Sequence, residues 1–161
     1  SVGGDWQPNE ARRLGLGVFA SDFSDGNVRT GVNAAWFERW SAGPRWMFET
    51  TLGADGSRNT LQTGFSYFNP KSDRSLWLTA AIENRTWRHY DRSFHQRLAL
   101  TGGTYWQEGY GQGAIQAIEY THRWEIDRNV SLRYGIGRLL RPYDGDREAR
   151  TFGKLILLWR I

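Results

Sequence analysis

The sequence has no cysteine, which excludes disulfides and thiolate metal sites. It has no apolar run near the roughly 18 residues of a membrane-crossing helix. It has no run of Lys or Arg either. Its net charge of +4 is scattered, so the anionic partner that a basic protein suggests is not nucleic acid. Ser1 is preceded by no Met and followed by no basic-then-apolar leader. A signal peptide is therefore expected to be absent or already removed. What is abundant is Trp, with nine, and Gly, with 19, in a chain only 39% hydrophobic. A soluble domain of 161 residues rarely combines these. The apolar and aromatic residues recur regularly, which excludes a disordered chain.

Alternation is the dominant pattern. In VRTGVNAAWFERW, Val28, Thr30, Val32, Ala34 and Trp36 share one face, with Arg29, Gly31, Asn33 and Arg39 on the other. In RWMFETTLGAD, Trp46, Phe48, Thr50, Leu52 and Ala54 alternate with Met47, Glu49, Thr51 and Asp55. SLWLTAAIENR sets Leu76, Leu78, Ala80 and Ile82 against Trp77, Thr79, Glu83 and Arg85. RLALTGGTYWQ, IQAIEYTHRWE and VSLRYGIGR repeat the scheme. Period two with an apolar face predicts strands. Eight are expected, near 12–22, 28–40, 45–55, 75–89, 94–107, 113–125, 129–140 and 151–161. A short strand at Gln62–Phe68 is the less favoured reading of a long loop.

These strands run about 10–14 residues, longer than the five or six typical of soluble sheets. Long antiparallel strands joined by hairpins suit a sheet that crosses a membrane. Every backbone polar group must be paired there, so the sheet must close. The predicted fold is all-β, an antiparallel up-and-down transmembrane β-barrel. The alternative is a soluble β-sandwich with aromatics packed in a dry core. Trp36, Trp40, Trp46, Trp87, Trp106, Trp124 and Trp159 lie near strand ends, where interfacial girdles form. With the C-terminus in the periplasm, the longer segments 56–74, EGYGQG and RPYDGDREAR face outward, and WQPNE turns in the periplasm. Leu155, Leu157, Trp159 and Ile161 give the last strand an apolar face, and in a closed barrel that strand pairs with the first.

If the apolar face meets lipid, parity puts Glu49, Asp55, Glu83 and Glu119 in the lumen, with Arg29, Arg85, Arg97, Arg123 and Arg133. These charges either pair across strands and hold the wall or line a wet track. In the outer segment, Asp144, Asp146 and Glu148 have a spacing that suits a weak calcium site or a self-paired loop with Arg141, Arg147 and Arg150. No metal is expected. His89, His95 and His122 read as turn or interfacial residues. Asp91, Ser93 and His95 are the residue types of a hydrolase triad, but nothing in an exposed turn would bury or orient them. Catalytic residues and cofactors are expected to be absent.

Several stretches, in order, carry a resemblance: DFSDGNVR (Asp22–Arg29), GPRW (Gly43–Trp46), YFNPKSDRSLWLT (Tyr67–Thr79), RHYDRSFHQRLALTGGTYWQEGYG (Arg88–Gly111), YTHRWEID (Tyr120–Asp127), YGIGRLLRPYDGDREAR (Tyr134–Arg150) and the final LWRI. Together the sequence resembles the C-terminal barrel of the PgaA/HmsH family, outer-membrane porins that export poly-β-1,6-N-acetyl-D-glucosamine, the biofilm polysaccharide. The resemblance implies a parent with a periplasmic helical-repeat domain and a barrel of about sixteen strands, wide enough for an aqueous channel. Residues 1–161 are then a C-terminal portion of that barrel domain. It implies as partners a partly de-N-acetylated poly-N-acetylglucosamine exopolysaccharide, outer-membrane lipid and lipopolysaccharide, the barrel-assembly machinery and periplasmic export components. Carboxylates of the track would attract the polymer's amines, and Trp77 or Tyr105 would stack on its sugars. Ile161 departs from the aromatic residue with which such barrels usually end. The alternatives are a small self-closed eight-stranded barrel that modifies lipid A, and a structural or adhesive barrel.

Overall fold

A computed structural model describes residues 1–61 and 69–160. Nine strands form one sheet in chain order: β1 (Val2–Asn9), β2 (Arg12–Asp22), β3 (Val28–Ala42), β4 (Trp46–Asn59), β5 (Ser72–His89), β6 (Arg92–Gln107), β7 (Gly111–Glu125), β8 (Val130–Tyr143) and β9 (Asp146–Trp159). Each is antiparallel to its sequence neighbours. No helix occurs among the described residues. The possible strand at Gln62–Phe68 lies outside them, as does Ile161.

Eight of the nine strands match the expected ones. The ninth is β1, where a periplasmic turn at WQPNE was expected. Gly3, Gly4 and Pro8 weaken its local strand signal, so the strand is made by pairing with β2, from Val2 opposite Val18 to Asn9 opposite Arg12. Pro8 is tolerated because β1 is an edge strand. The turn is Glu10–Ala11, where the Asn9 side chain accepts the Ala11 N–H at 2.9 Å. The second difference is RPYDGDREAR. It is not a long loop but a continuation of β8 and β9 through the two-residue turn Asp144–Gly145. Both residues have positive φ, 48° and 87°, as Asp-Gly hairpin turns require. The third concerns the last strand. Among the described residues β9 pairs only with β8, and β1 and β9 are the two edges of the sheet.

The two faces separate as alternation predicts. Leu52 lies between Trp36 and Leu78 across three strands, and the row continues through Gly102. Leu100, Ile118, Tyr120, Ile136, Leu155 and Leu157 extend this apolar face to β9. These side chains are largely uncovered, Leu155 being 74% exposed. The only buried hydrophobics among the described residues are Ala81, Ala99, Tyr105 and Ile115. A sandwich would bury its oily face against a second layer, and the described residues form a single sheet. An apolar face this extensive needs lipid.

Aromatics collect at one end of that face. Trp6, Trp36, Trp40, Trp46, Trp87, Trp124 and Trp159 all lie toward the turns at 10–11, 43–45, 90–91 and 126–129. Two β-bulges lie at this end. Register shifts at Arg39/Ser41 and Arg85/Trp87 add one residue each; the second turns Trp87 from the inner parity of Arg85 to the lipid side, opposite Phe94, while Trp40 shares the outward parity of Trp36. Trp40 then donates Nε1–H to Thr50 at 2.8 Å, and Phe94 and Trp124 pack with ring centroids 4.4 Å apart. This is an interfacial girdle. At the opposite end lie the turns at 23–27, 108–110 and 144–145, together with the ends of β4 and β5 that residues 60–71 connect. They include the longest connection, so this end faces outward and the girdle end faces the periplasm.

Candidate functional site: the inner face of the sheet

The inner face is polar, and its side chains divide into three zones. Toward the girdle end, seven strands, β3 to β9, place charged side chains side by side. Glu83 on β5 accepts from His95 Nδ1 at 2.8 Å and from Arg123 Nη2 at 2.7 Å. Ser93 Oγ contacts His95 Nε2 at 2.8 Å and donates to Glu125. Arg123 also reaches Glu125 at 3.3 Å. Glu49 pairs with Arg39 at 3.1 Å and with Arg97 at 4.0 Å. Glu119 pairs with Lys154 at 2.5 Å and accepts from Thr121 at 2.9 Å. Glu49, Glu83, Glu119, Arg97, Arg123, Lys154 and Arg133 border a recess of ≈ 400 Å³. Arg133 alone of these makes no ion pair among the described residues.

Glu83 and Arg123 are 40 residues apart in sequence, so only the register brings them together. Glu83 sits opposite Arg97, and Arg123 sits opposite His95 and Arg133. Opposite charges placed across neighbouring strands stabilise the ladder, and each carboxylate keeps an arginine or lysine from being stranded. The site was therefore visible in the sequence as a face, but not as pairs.

The middle zone is built from rings lying on glycines. A Cβ on Gly53 would stand 2.1 Å from Trp77 Cζ2, so the indole lies flat across β4. On the other side Trp77 Cβ packs against Gly103. Phe19 covers Gly31, and Phe152 covers Gly137, each with a ring atom 2.4 Å from where a Cβ would be. Glycine is needed at these positions for close approach. All three rings are partly exposed. Phe19 and Phe152 were not singled out from the sequence. Their signal is that each apolar ring sits on a polar-parity position opposite a glycine.

The third zone, toward the outer end, is closely packed. Tyr105 is 1% exposed. Its hydroxyl donates to Asp73 at 3.1 Å, and the Arg141 guanidinium lies 4.4 Å from its ring centroid. A sugar has no access to that ring, so the stacking role expected of Tyr105 is not available in this arrangement. Ser57 donates to Asp73, and Arg29 lies 3.7 Å from the same carboxylate. Asp55 accepts from Ser75 at 2.5 Å. Asn27, fully buried, donates to Asn59 at 3.1 Å and to Asn69 at 3.0 Å. In the turn beyond β6, a hydrogen bond from Lys71 at 2.5 Å and one from Ser72 hold the exposed Glu108 carboxyl below its ordinary range.

The remaining candidates fall as follows. Arg85 lies on the inner face and donates to the Pro44 carbonyl. Asp144 caps the hairpin turn and accepts from Gln107 Nε2 at 2.5 Å. Asp146 and Glu148 lie in β9, opposite Tyr143 and Arg141. No cluster of three metal-ligating side chains occurs among the described residues. His89 lies beside the turn and packs edge-on against Tyr90. His122 sits on the lipid face between Phe94, Tyr120 and Tyr134. His95 differs from expectation, because it belongs to the inner wall. There it links Ser93 to Glu83, while Asp91 pairs instead with Arg128 at 2.8 Å. Ser93 is buried and gives its single proton to Glu125. It presents no free nucleophile, and the cluster serves as a clamp between strands.

The sequence matches the PgaA membrane beta barrel domain over residues 1–161. Two curated relatives, the poly-beta-1,6-N-acetyl-D-glucosamine export proteins of Escherichia coli (strain K12) and Escherichia coli O157:H7, are each 29% identical over 160 residues, covering 97% of this chain and 19% of theirs. A solved structure described as a bacterial polysaccharide outer membrane secretin superposes with a TM-score of 0.92 at 26% identity, covering 98% of this chain and 54% of that one. The chain thus spans about a fifth of the length of the curated relatives it matches. Both of those relatives are export proteins. Uncovered apolar face, aromatic girdle, polar inner wall and family match agree in placing these strands in the outer membrane. The chain belongs to the PgaA membrane beta barrel domain family.

Proposed function

We propose that residues 1–161 form the C-terminal part of the barrel wall of a polysaccharide-export porin. The polymer it passes is poly-β-1,6-N-acetylglucosamine, partly de-N-acetylated. Periplasmic export components feed it, and the barrel-assembly machinery inserts it. The observation that carries this reading is Trp77, a partly exposed indole laid flat on the inner wall over Gly53. A flat aromatic face suits the C–H face of a pyranose, and Phe19 and Phe152 offer two more such surfaces.

The charged zone supports passage in a different way from that first expected. Its carboxylates are engaged by arginine, lysine or histidine, so they do not stand free to capture amines. A wall whose charges cancel locally is wet but weakly binding. Transport needs this, because a ligand held tightly leaves slowly. Passage of the chain then rests on stacking and water-mediated contacts rather than on ionic capture.

Trp77→Ala in the full-length protein tests this. Secreted polysaccharide is expected to fall several-fold while the amount of assembled, heat-modifiable protein in the outer membrane stays constant. Unchanged secretion would remove Trp77 from the track.

A further inference from the structure

The two cross-strand rows nearest the periplasmic turns differ from the paired charges deeper in the wall. From β5 to β9, one row runs Arg88, Ser93, Glu125, Ser131 and Leu158. The next runs Arg85, His95, Arg123, Arg133 and Ile156. Both rows have inner parity, and Arg160, beyond Trp159, shares the parity of Leu158. Together these positions hold five arginines and one carboxylate. That carboxylate, Glu125, and the deeper Glu83 both engage Arg123, at 3.3 and 2.7 Å. Arg85, Arg88, Arg133 and Arg160 form no ion pair among the described residues. Arg85 and Arg88 donate instead to the backbone carbonyls of Pro44 and Tyr90. Arg85 is half-buried, and the other three are exposed.

The same rows end in apolar residues on the wet side of the sheet. Ile156 and Leu158 have inner parity, yet they are 41% and 49% exposed. Leu158 borders, with Arg85, Arg88 and Arg160, a recess of ≈ 360 Å³. Aliphatic side chains facing water beside guanidiniums that lack carboxylates fit one kind of cover. It brings apolar groups to the first and carboxylates, which match the arginine fork, to the second. Lipid headgroups do not supply it, because they lie on the other side of the sheet. The superposed secretin is about twice as long as this chain, whereas the curated relatives are about five times as long. A wall of the secretin's size leaves more than half of such a polypeptide for other parts. A segment tethered to the wall is concentrated at its mouth in a way that a separate protein is not.

We propose that an acidic, amphipathic segment of the same polypeptide, from outside residues 1–161, docks on the lumenal side of this periplasmic mouth. Its carboxylates meet Arg85, Arg88, Arg133 and Arg160, and its apolar side chains cover Ile156 and Leu158. The docking site depends on the parity of β5 to β9 and is independent of which polymer passes through the lumen.

The test places the photo-crosslinker p-benzoylphenylalanine at Ser131, between Glu125 and Leu158 in the first row, in the full-length protein in outer membranes. Mass spectrometry then maps the adduct. The expected product is a crosslink within one chain, to a stretch outside residues 1–161 that carries Asp or Glu. Each exposed ion pair contributes roughly twofold in affinity, so R85Q/R88Q/R133Q/R160Q is expected to lower the yield about tenfold. Adducts only with a second protein, with lipid or with polysaccharide overturn the proposal, as does the lack of any adduct. An intrachain adduct of unchanged yield in the quadruple variant overturns the role of the arginines and with it the proposal. If the quadruple variant does not assemble, R88Q/R160Q is measured instead, because both side chains are exposed. It is expected to lower the yield roughly fourfold, and an equal yield again overturns the proposal. Polysaccharide secretion by Trp77→Ala, measured separately, reports on the track alone.

Discussion

Gly53→Ala adds one methyl group to the inner wall, and its cost can be worked from the geometry. The new Cβ would stand 2.1, 2.4 and 2.6 Å from Cζ2, Cε2 and Cη2 of Trp77. Comfortable carbon contacts lie near 3.5–4.0 Å. The indole must therefore retreat by about 1.4 Å at its nearest atom, measured against the 2.1 Å contact. Its base is fixed, because Trp77 Cβ packs against Gly103 on the other side. The ring has room only toward the lumen, at the expense of its rotamer and its flat seat. Overpacking of this kind costs about 1–3 kcal/mol. The measurement is urea unfolding of the full-length protein from lipid vesicles, for Gly53→Ala, Trp77→Ala and the double variant. In the Trp77→Ala background the ring that the added methyl strikes is gone, so that clash and its cost are expected to vanish. The coupling energy then equals the single-variant cost, about 1–3 kcal/mol, well above the ~0.5 kcal/mol of independent sites. An equal loss in both backgrounds would refute the account of the indole lying on β4.

Two further perturbations probe the two faces and the outer zone. Leu78→Arg puts a charge in the middle of the lipid face and is expected to cost about 2–4 kcal/mol. Thr79→Arg, one residue on, points into water and loses only the Thr79–Thr101 hydrogen bond of 2.7 Å, so it is expected to stay within about 1 kcal/mol. Equal costs would show that the faces are misassigned. Tyr105→Phe removes the hydroxyl bonded to Asp73 at 3.1 Å but keeps the ring under Arg141, for an expected loss of about 1 kcal/mol. Tyr105→Ala leaves a buried cavity and is expected to lose about 3–5 kcal/mol. The denaturation midpoint distinguishes the two outcomes.

The alternation of single strands was enough to tell lipid from lumen, because period two leaves little freedom once one face is oily. Glu49, Asp55, Glu83, Glu119, Trp77, Tyr105, Arg85 and Arg133 all carry inner parity in the observed register. What alternation does not contain is depth or partnership. Tyr105 and Trp77 have the same parity, yet one is sealed beneath Arg141 and the other is partly open. Their difference depends on what other strands bring over them: Arg141 of β8 covers the Tyr105 ring, whereas Trp77 lies over Gly53 of β4 with no side chain of that kind above it among the described residues. The Glu83–His95–Arg123 cluster is assembled by strand order rather than by any local spacing. β1 escaped notice because two glycines and a proline mask a strand that only its neighbour stabilises. The Asp144–Gly145 turn did carry its signal, an Asp-Gly pair. The surrounding charges suggested a loop, yet they proved to be ordinary cross-strand neighbours in an extended hairpin.

That hairpin shapes how the outer mouth of this wall behaves. Gln107, at the end of β6, grips it twice, donating to Asp144 Oδ1 and accepting the Asp144 N–H at 3.2 Å. Gly145 leans against Tyr110 of the adjoining turn. Two neighbouring tips are thereby latched into one stiff lip. An opening that widened or narrowed by swinging loops would have to break this latch first, so on this arc the aperture is a fixed frame, and any gate must hang from another part of the rim.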